Sequence, residues 1–162
     1  MSMPEKRPPG KFLVAFDLQP ISETWPPFST ERIWARKGTG PYQLVLENIP
    51  FFVRGLACGD VIRAKPDHER RELVFAGVVA HGGNSTIRLI LRNGEESFQS
   101  RVLAILAEAG CEWEFSSVKS HLAVNIAPQA DYMSLRSTLV SLIETGDLEV
   151  EEAYIAENHR PA

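Results

Sequence analysis

The hydrophobic pattern changes period near the middle of the chain. Residues 11–18 alternate, with Phe12, Val14, Phe16 and Leu18 on one face, as a half-buried strand requires. The next stretch, ISETWPPFS, contains Pro26 and Pro27, which exclude a regular element and mark a loop. Short strands are predicted over 31–37 and 42–46, separated by Gly38, Gly40 and Pro41. Residues 48–52 read as a turn that carries Phe51 and Phe52 into an apolar cluster. Gly59-Asp60 then leads into a strand over 61–64, residues 66–71 read as a polar hairpin loop, and a further strand is predicted over 73–80. Five short strands at this spacing predict a small β-barrel or curled antiparallel sheet spanning residues 11–84.

The second half alternates strand and helix periods. Residues 86–91 form a strand with Ile87, Leu89 and Leu91 on one face. Asn93 is placed to cap a helix with Glu96 as its capping-box partner, and Glu95 and Glu96 suit the positive end of the helix dipole. Phe98, Val102, Ile105 and Leu106 make the buried stripe, and Gly110 ends the helix. Strands follow over 111–115 and 122–126, the second ended by Pro128. Asp131 caps a second helix with the stripe Leu135, Leu139, Leu142 and Ile143; Gly146 ends it, and the last strand is 148–155. The order β-α-β-β-α-β is that of a ferredoxin-like sandwich over residues 85–157, so the expected class is α+β. Its helix-facing set would be Ile87, Leu89, Leu91, Trp113, Phe115, Leu122, Val124, Ile126, Leu148 and Val150. Residues 1–10, rich in proline, read as a mobile arm, and residues 158–162 as the end of a frayed tail that starts at 157.

Composition adds charge and compartment. The 162 residues are 44% hydrophobic and 23% charged, with a net charge of −4, which speaks against a generic nucleic-acid coat. The charge is uneven: residues 1–84 sum to +2 and residues 85–162 to −6. No apolar run approaches the roughly 18–20 residues of a membrane span, and the first ten residues lack the apolar core of a secretory signal. Two cysteines, Cys58 and Cys111, read as reduced thiols in a cytoplasm.

Several short segments, taken in order, resemble a known family. They are Glu31-Arg32-Ile33-Trp34-Ala35, Tyr42, Asn48-Ile49-Pro50-Phe51-Phe52, Gly55-Leu56-Ala57 with Gly59-Asp60, and Gly82-Gly83-Asn84-Ser85-Thr86-Ile87-Arg88. With this spacing the chain resembles the bacterial domain of unknown function 4265 family over about residues 11–157. Asn84, where a small polar residue or histidine would be expected, and the PDHERRE loop depart from that pattern. The resemblance implies no activity, cofactor or catalytic residue.

Two segments carry candidate chemistry. In AHGGNSTIR, the backbone of Gly82, Gly83, Asn84, Ser85 and Thr86 could face an anion, with His81 and Arg88 as side-chain contacts. A strand rather than a helix follows, so the phosphate-loop geometry is incomplete; the plainer reading is a hinge, with Arg88 paired to a carboxylate. The second candidate is acidic. Glu112 and Glu114 would lie on one outer strand, and Glu149, Glu151 and Glu152 on the other, either discouraging edge-to-edge aggregation or forming a docking surface for a basic partner. The four histidines lack metal-ligand spacing, and a Cys58, Asp60 and His81 constellation has no support from spacing. RNA stacking on the sheet is disfavoured because its outward positions, Arg88, Ile90, His121, Ala123 and Asn125, hold no aromatic.

The expectation is therefore a non-catalytic, cytoplasmic protein-binding module without cofactor or metal. Its sharpest form is an immunity-type protein covering the basic face of a bacterial toxin with its acidic surface. The alternative is a sensing domain for a small anionic ligand between the two halves. An enzyme using Cys58 or His81 is the weakest reading, and the oligomeric state is left open.

Overall fold

The computed structural model describes residues 8–161. Most of the predicted proline-rich arm, residues 1–7, lies outside the described residues. The fold is mixed α+β, with a five-stranded and a four-stranded sheet and two helices.

The first sheet runs β1 (Lys11–Asp17), β2 (Thr30–Lys37), β3 (Gln43–Leu46), β4 (Val61–Asp67) and β5 (Glu72–Ala80), each antiparallel to the next. It curls until β5 meets β1 in parallel, at Val14↔Leu73 and Ala15↔Val74. Two register shifts in the β4–β5 ladder, with Gly77 at φ 142° beside one of them, bend β5 and increase the local twist. The interior is filled by Val14, Phe16, Ile33, Ala35, Leu44, Leu46, Leu56, Ile62 and Ala64, which keep the alternation seen in sequence.

One boundary differs from expectation for a physical reason. Residues 66 and 67 belong to β4 rather than to the hairpin loop. Strand β3 covers β4 only as far as Arg63, so beyond that residue β4 is an edge, where a proline without an N–H is tolerated.

The second sheet has four strands in the order β7 (Glu112–Phe115), β8 (His121–Ile126), β6 (Ser85–Leu91) and β9 (Leu148–Tyr154), all antiparallel. The helices are α1 (Glu96–Glu108) and α2 (Tyr132–Glu144). One core joins this sheet to the buried helix residues Phe98, Val102, Leu106, Leu135, Leu139 and Leu142. Phe115, expected in that core, is 39% exposed at the end of the short strand β7. Asp131 caps α2 as predicted, accepting the Ser134 N–H at 3.0 Å. Asn93 does not cap α1. Its Oδ1 accepts the Glu95 N–H at 2.9 Å, closing a turn that delays the helix to Glu96.

The C-terminal residues are docked rather than frayed. Glu157–His159 form a 3₁₀ turn, and buried His159 bonds Ser85 Oγ through Nδ1 (2.6 Å) and Ala127 O through Nε2 (2.9 Å). The sheet face opposite the helices is also covered. Thr86, Arg88, His121 and Ala123 lie buried on it beneath segments of the first half.

Candidate functional site

The junction is organised around the Asn48–Phe52 turn and the two residues after it. Glu31 shares the inward face of β2 with Ile33 and Ala35, so alternation drives a carboxylate into the mouth of the curled sheet. There it accepts the N–H groups of Phe51 (2.6 Å), Phe52 (3.0 Å) and Val53 (2.9 Å). The turn's carbonyls point at the second sheet. Arg88 donates to Val53 O (2.7 Å), Phe52 O (3.1 Å) and Pro50 O (3.3 Å), and its guanidinium pairs with Glu151. The turn is thus held between a carboxylate and a guanidinium. Burial pulls the Arg88 pKa below its usual value and Glu151 opposes that pull; an arginine stays charged throughout.

His121 completes this contact. Its ring stacks on Phe52 at 5.3 Å and 7°, with Trp25 edge-on at 5.3 Å, while Nδ1 lies 2.7 Å from Ser116 Oγ. Burial, helped by the charge of Arg88, pushes its pKa down to about 4, so the imidazole is neutral at pH 7. A cleft of about 370 Å³ opens beside it, lined by Trp25, Arg88, Ile90, His121, Ile143, Glu149, Val150 and Glu151.

The glycine-rich segment packs around Asp60. This fully buried carboxylate accepts from the N–H groups of Ala57 and Gly82 and from His81 Nδ1, all at 2.9 Å. His81 is also stacked on Tyr154 with ring centroids 4.2 Å apart. Gly82 is required by close approach, because a Cβ there would sit 2.7 Å from the Gly59 carbonyl oxygen. Gly83 has φ 97° and lies against Pro128. Asn84 accepts from Asn125 Nδ2, Ser85 bonds His159 and the Ala156 N–H, and Thr86 donates to Leu56 O at 2.9 Å. The segment proposed for an anion is therefore engaged with the protein at Gly82, Asn84, Ser85, Thr86 and Arg88. Of that set only Arg88 lines the cleft.

The structure brings Asp60 and His81 together, but the Cys58 thiol is directed at Leu46 O (3.7 Å). Burial, reinforced by Glu112 and Asp60, pushes the Cys58 thiol above its ordinary value, which keeps it protonated and a weak nucleophile. Burial does the same at Cys111. Among the described residues, no group of three or more His, Cys, Asp or Glu is placed to hold a metal. None of the helices among them is long and apolar enough to cross a membrane.

The acidic candidates divide sharply. On β9, Glu149 pairs with Arg92 (2.6 Å), Glu151 with Arg88, and Glu152 accepts from Tyr132 Oη (2.9 Å) with Arg136 at 3.7 Å. Glu112 and Glu114 on β7 are exposed and have no ion-pair partner among the described residues. Among the described residues, strand β7 pairs with β8 alone, and its outer edge has no neighbouring strand. Beside it runs a groove of about 460 Å³ lined by Glu47, Asn48, Ile49, Cys58, Glu112, Trp113 and Glu114. Asn48 Oδ1 is buried there without a hydrogen-bond partner. Of the three carboxylates in its walls, Glu47 is paired with Lys11 and Arg36, which leaves Glu112 and Glu114 as the two without a counterion among the described residues.

From sequence, Glu31, Asn48, Trp25 and His121 carried no assigned role at a site. An acid in phase with Ile33 and Ala35 was a usable signal for Glu31. Nothing local marks Trp25 and His121, whose ring contacts with each other and with Phe52 join segments far apart in the chain, or Asn48, whose burial depends on the folded groove.

The family described as Domain of unknown function (DUF4265) matches residues 31–150, about three-quarters of the chain. The chain belongs to this family. The matched range begins at Glu31 and includes the turn, Asp60, the glycine segment, Arg88 and β7, so the junction lies almost wholly within the DUF4265 region. Of the curated proteins, none matches. Among solved structures, the chain is similar to a hypothetical protein from Neisseria gonorrhoeae, at 19% identity and a TM-score of 0.68. The likeness covers 91% of this chain and 95% of that one, and it extends to the fold alone.

Proposed function

We propose that this DUF4265 protein is a non-catalytic, cytoplasmic protein-binding module that docks a basic, extended segment of a partner along β7. The observation that carries this reading is the coincidence, on one strand, of an edge unpaired and two carboxylates without counterions among the described residues. An exposed edge is a template for an added strand, whose backbone hydrogen bonds give affinity while side chains select the partner. Lysines or arginines at alternate positions of that strand would meet Glu112 and Glu114, while Glu47 across the groove is already paired with Lys11 and Arg36. The sharpest form is an immunity-type protein that covers the basic face of a toxin acting on nucleic acid. The supporting architecture is a small barrel, read from the return of β5 to β1, followed by a ferredoxin-like sandwich, read from the order β7-β8-β6-β9.

The test is co-expression and calorimetric titration with the product of the adjacent gene. Glu112→Lys with Glu114→Lys should weaken binding at least tenfold, mainly through the on-rate, and flatten its salt dependence. Glu149→Lys with Glu152→Lys should change binding less than threefold, because those carboxylates are already neutralised. If the two double variants behave alike, β7 is not the docking edge.

A further inference from the structure

A second feature lies at the open end of the curled sheet and does not depend on β7. The loop between β1 and β2 folds back over that end and leaves a cavity of about 290 Å³. Its walls include Phe16, Trp25, Phe52, Val53 and Phe75, and Phe16 and Phe75 stack at 4.9 Å. The mouth of a small barrel is a recurrent ligand position, and this volume lies at the lower end of ligand-pocket sizes.

The charges at its rim are not balanced. Asp17, the acid in the wall, is held by both terminal nitrogens of Arg70 at 2.9 and 3.0 Å. Glu31, just behind the turn, is occupied by three backbone N–H groups. Arg54, also in the wall, is exposed and has no ion-pair partner among the described residues. We infer that this cavity binds a small amphiphile, with an alkyl or aryl body between the aromatic walls and a single anionic head, such as a carboxylate, at Arg54. A neutral body is demanded by the walls, since they carry no free buried polar group that it could satisfy. A negative head is demanded by the rim, where the unmatched charge is positive.

The probe is sodium octanoate, titrated into the full chain and followed by calorimetry and by tryptophan fluorescence, with Trp25 in the cavity wall. Saturable 1:1 binding is expected. Hexanoate should bind about fifteenfold more weakly, from roughly fourfold per buried methylene. Octanol should bind more weakly than octanoate, and octylamine more weakly still. Arg54→Gln, a change at an exposed side chain, should leave the melting temperature in place and make octanoate and octanol equivalent. Absence of saturable binding, no dependence on chain length, or an unchanged preference for octanoate in Arg54→Gln would each overturn the inference. So would binding to phosphatidylglycerol vesicles that octanoate fails to compete, since the cation would then read a lipid surface.

Discussion

Arg88 and Arg92 stand on or beside β6, each facing a glutamate of β9, yet they should differ severalfold in what their removal costs. Arg88→Met keeps the length of the stem and deletes the guanidinium. The carbonyls of Pro50, Phe52 and Val53 then lose their donor, and Glu151 loses its counter-charge. A buried acceptor left unsatisfied costs about 1–3 kcal/mol, and breaking a buried pair by removing one partner about 3–5 kcal/mol. The two figures overlap because they count the same desolvation. Glu151 can recover some hydration, since its side chain is 28% exposed, which favours the lower end, about 3 kcal/mol. Arg92→Met breaks a pair whose side chains are 57% and 55% exposed, a loss of at most about 1 kcal/mol. Urea unfolding of both variants beside the parent measures the contrast, with m-values checked for a common transition. Three kilocalories is a large share of a typical stability of about 5–15 kcal/mol, so Arg88→Met should be visibly less stable at 25 °C. An Arg88→Met cost below about 1 kcal/mol, or no greater than that of Arg92→Met, would refute the view that Arg88 bolts the turn to the second sheet.

Acid should act through His121. Its pKa of about 4 lies below the ordinary 6.5, so between those pH values the unfolded chain takes up a proton that the folded chain refuses. Stability contributed by the neutral ring is complete above pH 6.5 and drains away as pH falls towards 4, by about 2–3 kcal/mol. Unfolding at pH 7 and 4.5 should therefore show a larger acid loss in the parent than in His121→Phe; equal losses would remove the argument. Gly82→Ala would press a Cβ against the Gly59 carbonyl and should cost about 1–3 kcal/mol in chemical denaturation. Gly94→Ala, where nothing lies within 4 Å, serves as the neutral control, and an equal cost at both sites would contradict the packing described.

Most strands were legible as alternation because a strand's two faces are written in neighbouring residues. Val14 and Phe16, or Ile87, Leu89 and Leu91, declare their buried side without reference to anything distant. The Asp131 cap was equally local, since its partner is the Ser134 N–H three residues on. The Asn93 cap failed by a margin of two residues, because an Asx turn to Glu95 competes for the same side-chain oxygen. Pro66 misled for a different reason: whether a proline is tolerated depends on where the neighbouring strand stops.

Period was therefore settled along the chain, as was the Asp131 cap, and with them the succession of a β half and a β-α-β-β-α-β half; the Asn93 cap and the Pro66 turn were not. Charge was not. Five glutamates looked alike as an acidic surface, but three of them are engaged by Arg92, Arg88, Tyr132 and Arg136, and the two on β7 have no ion-pair partner among the described residues. Arg88 and Glu151 are separated by 63 positions, and Arg88 reaches the turn carbonyls across 35 to 38. Composition records that a charge exists; folding chooses its counterion and how much water it keeps, because both depend on residues brought near from elsewhere in the chain.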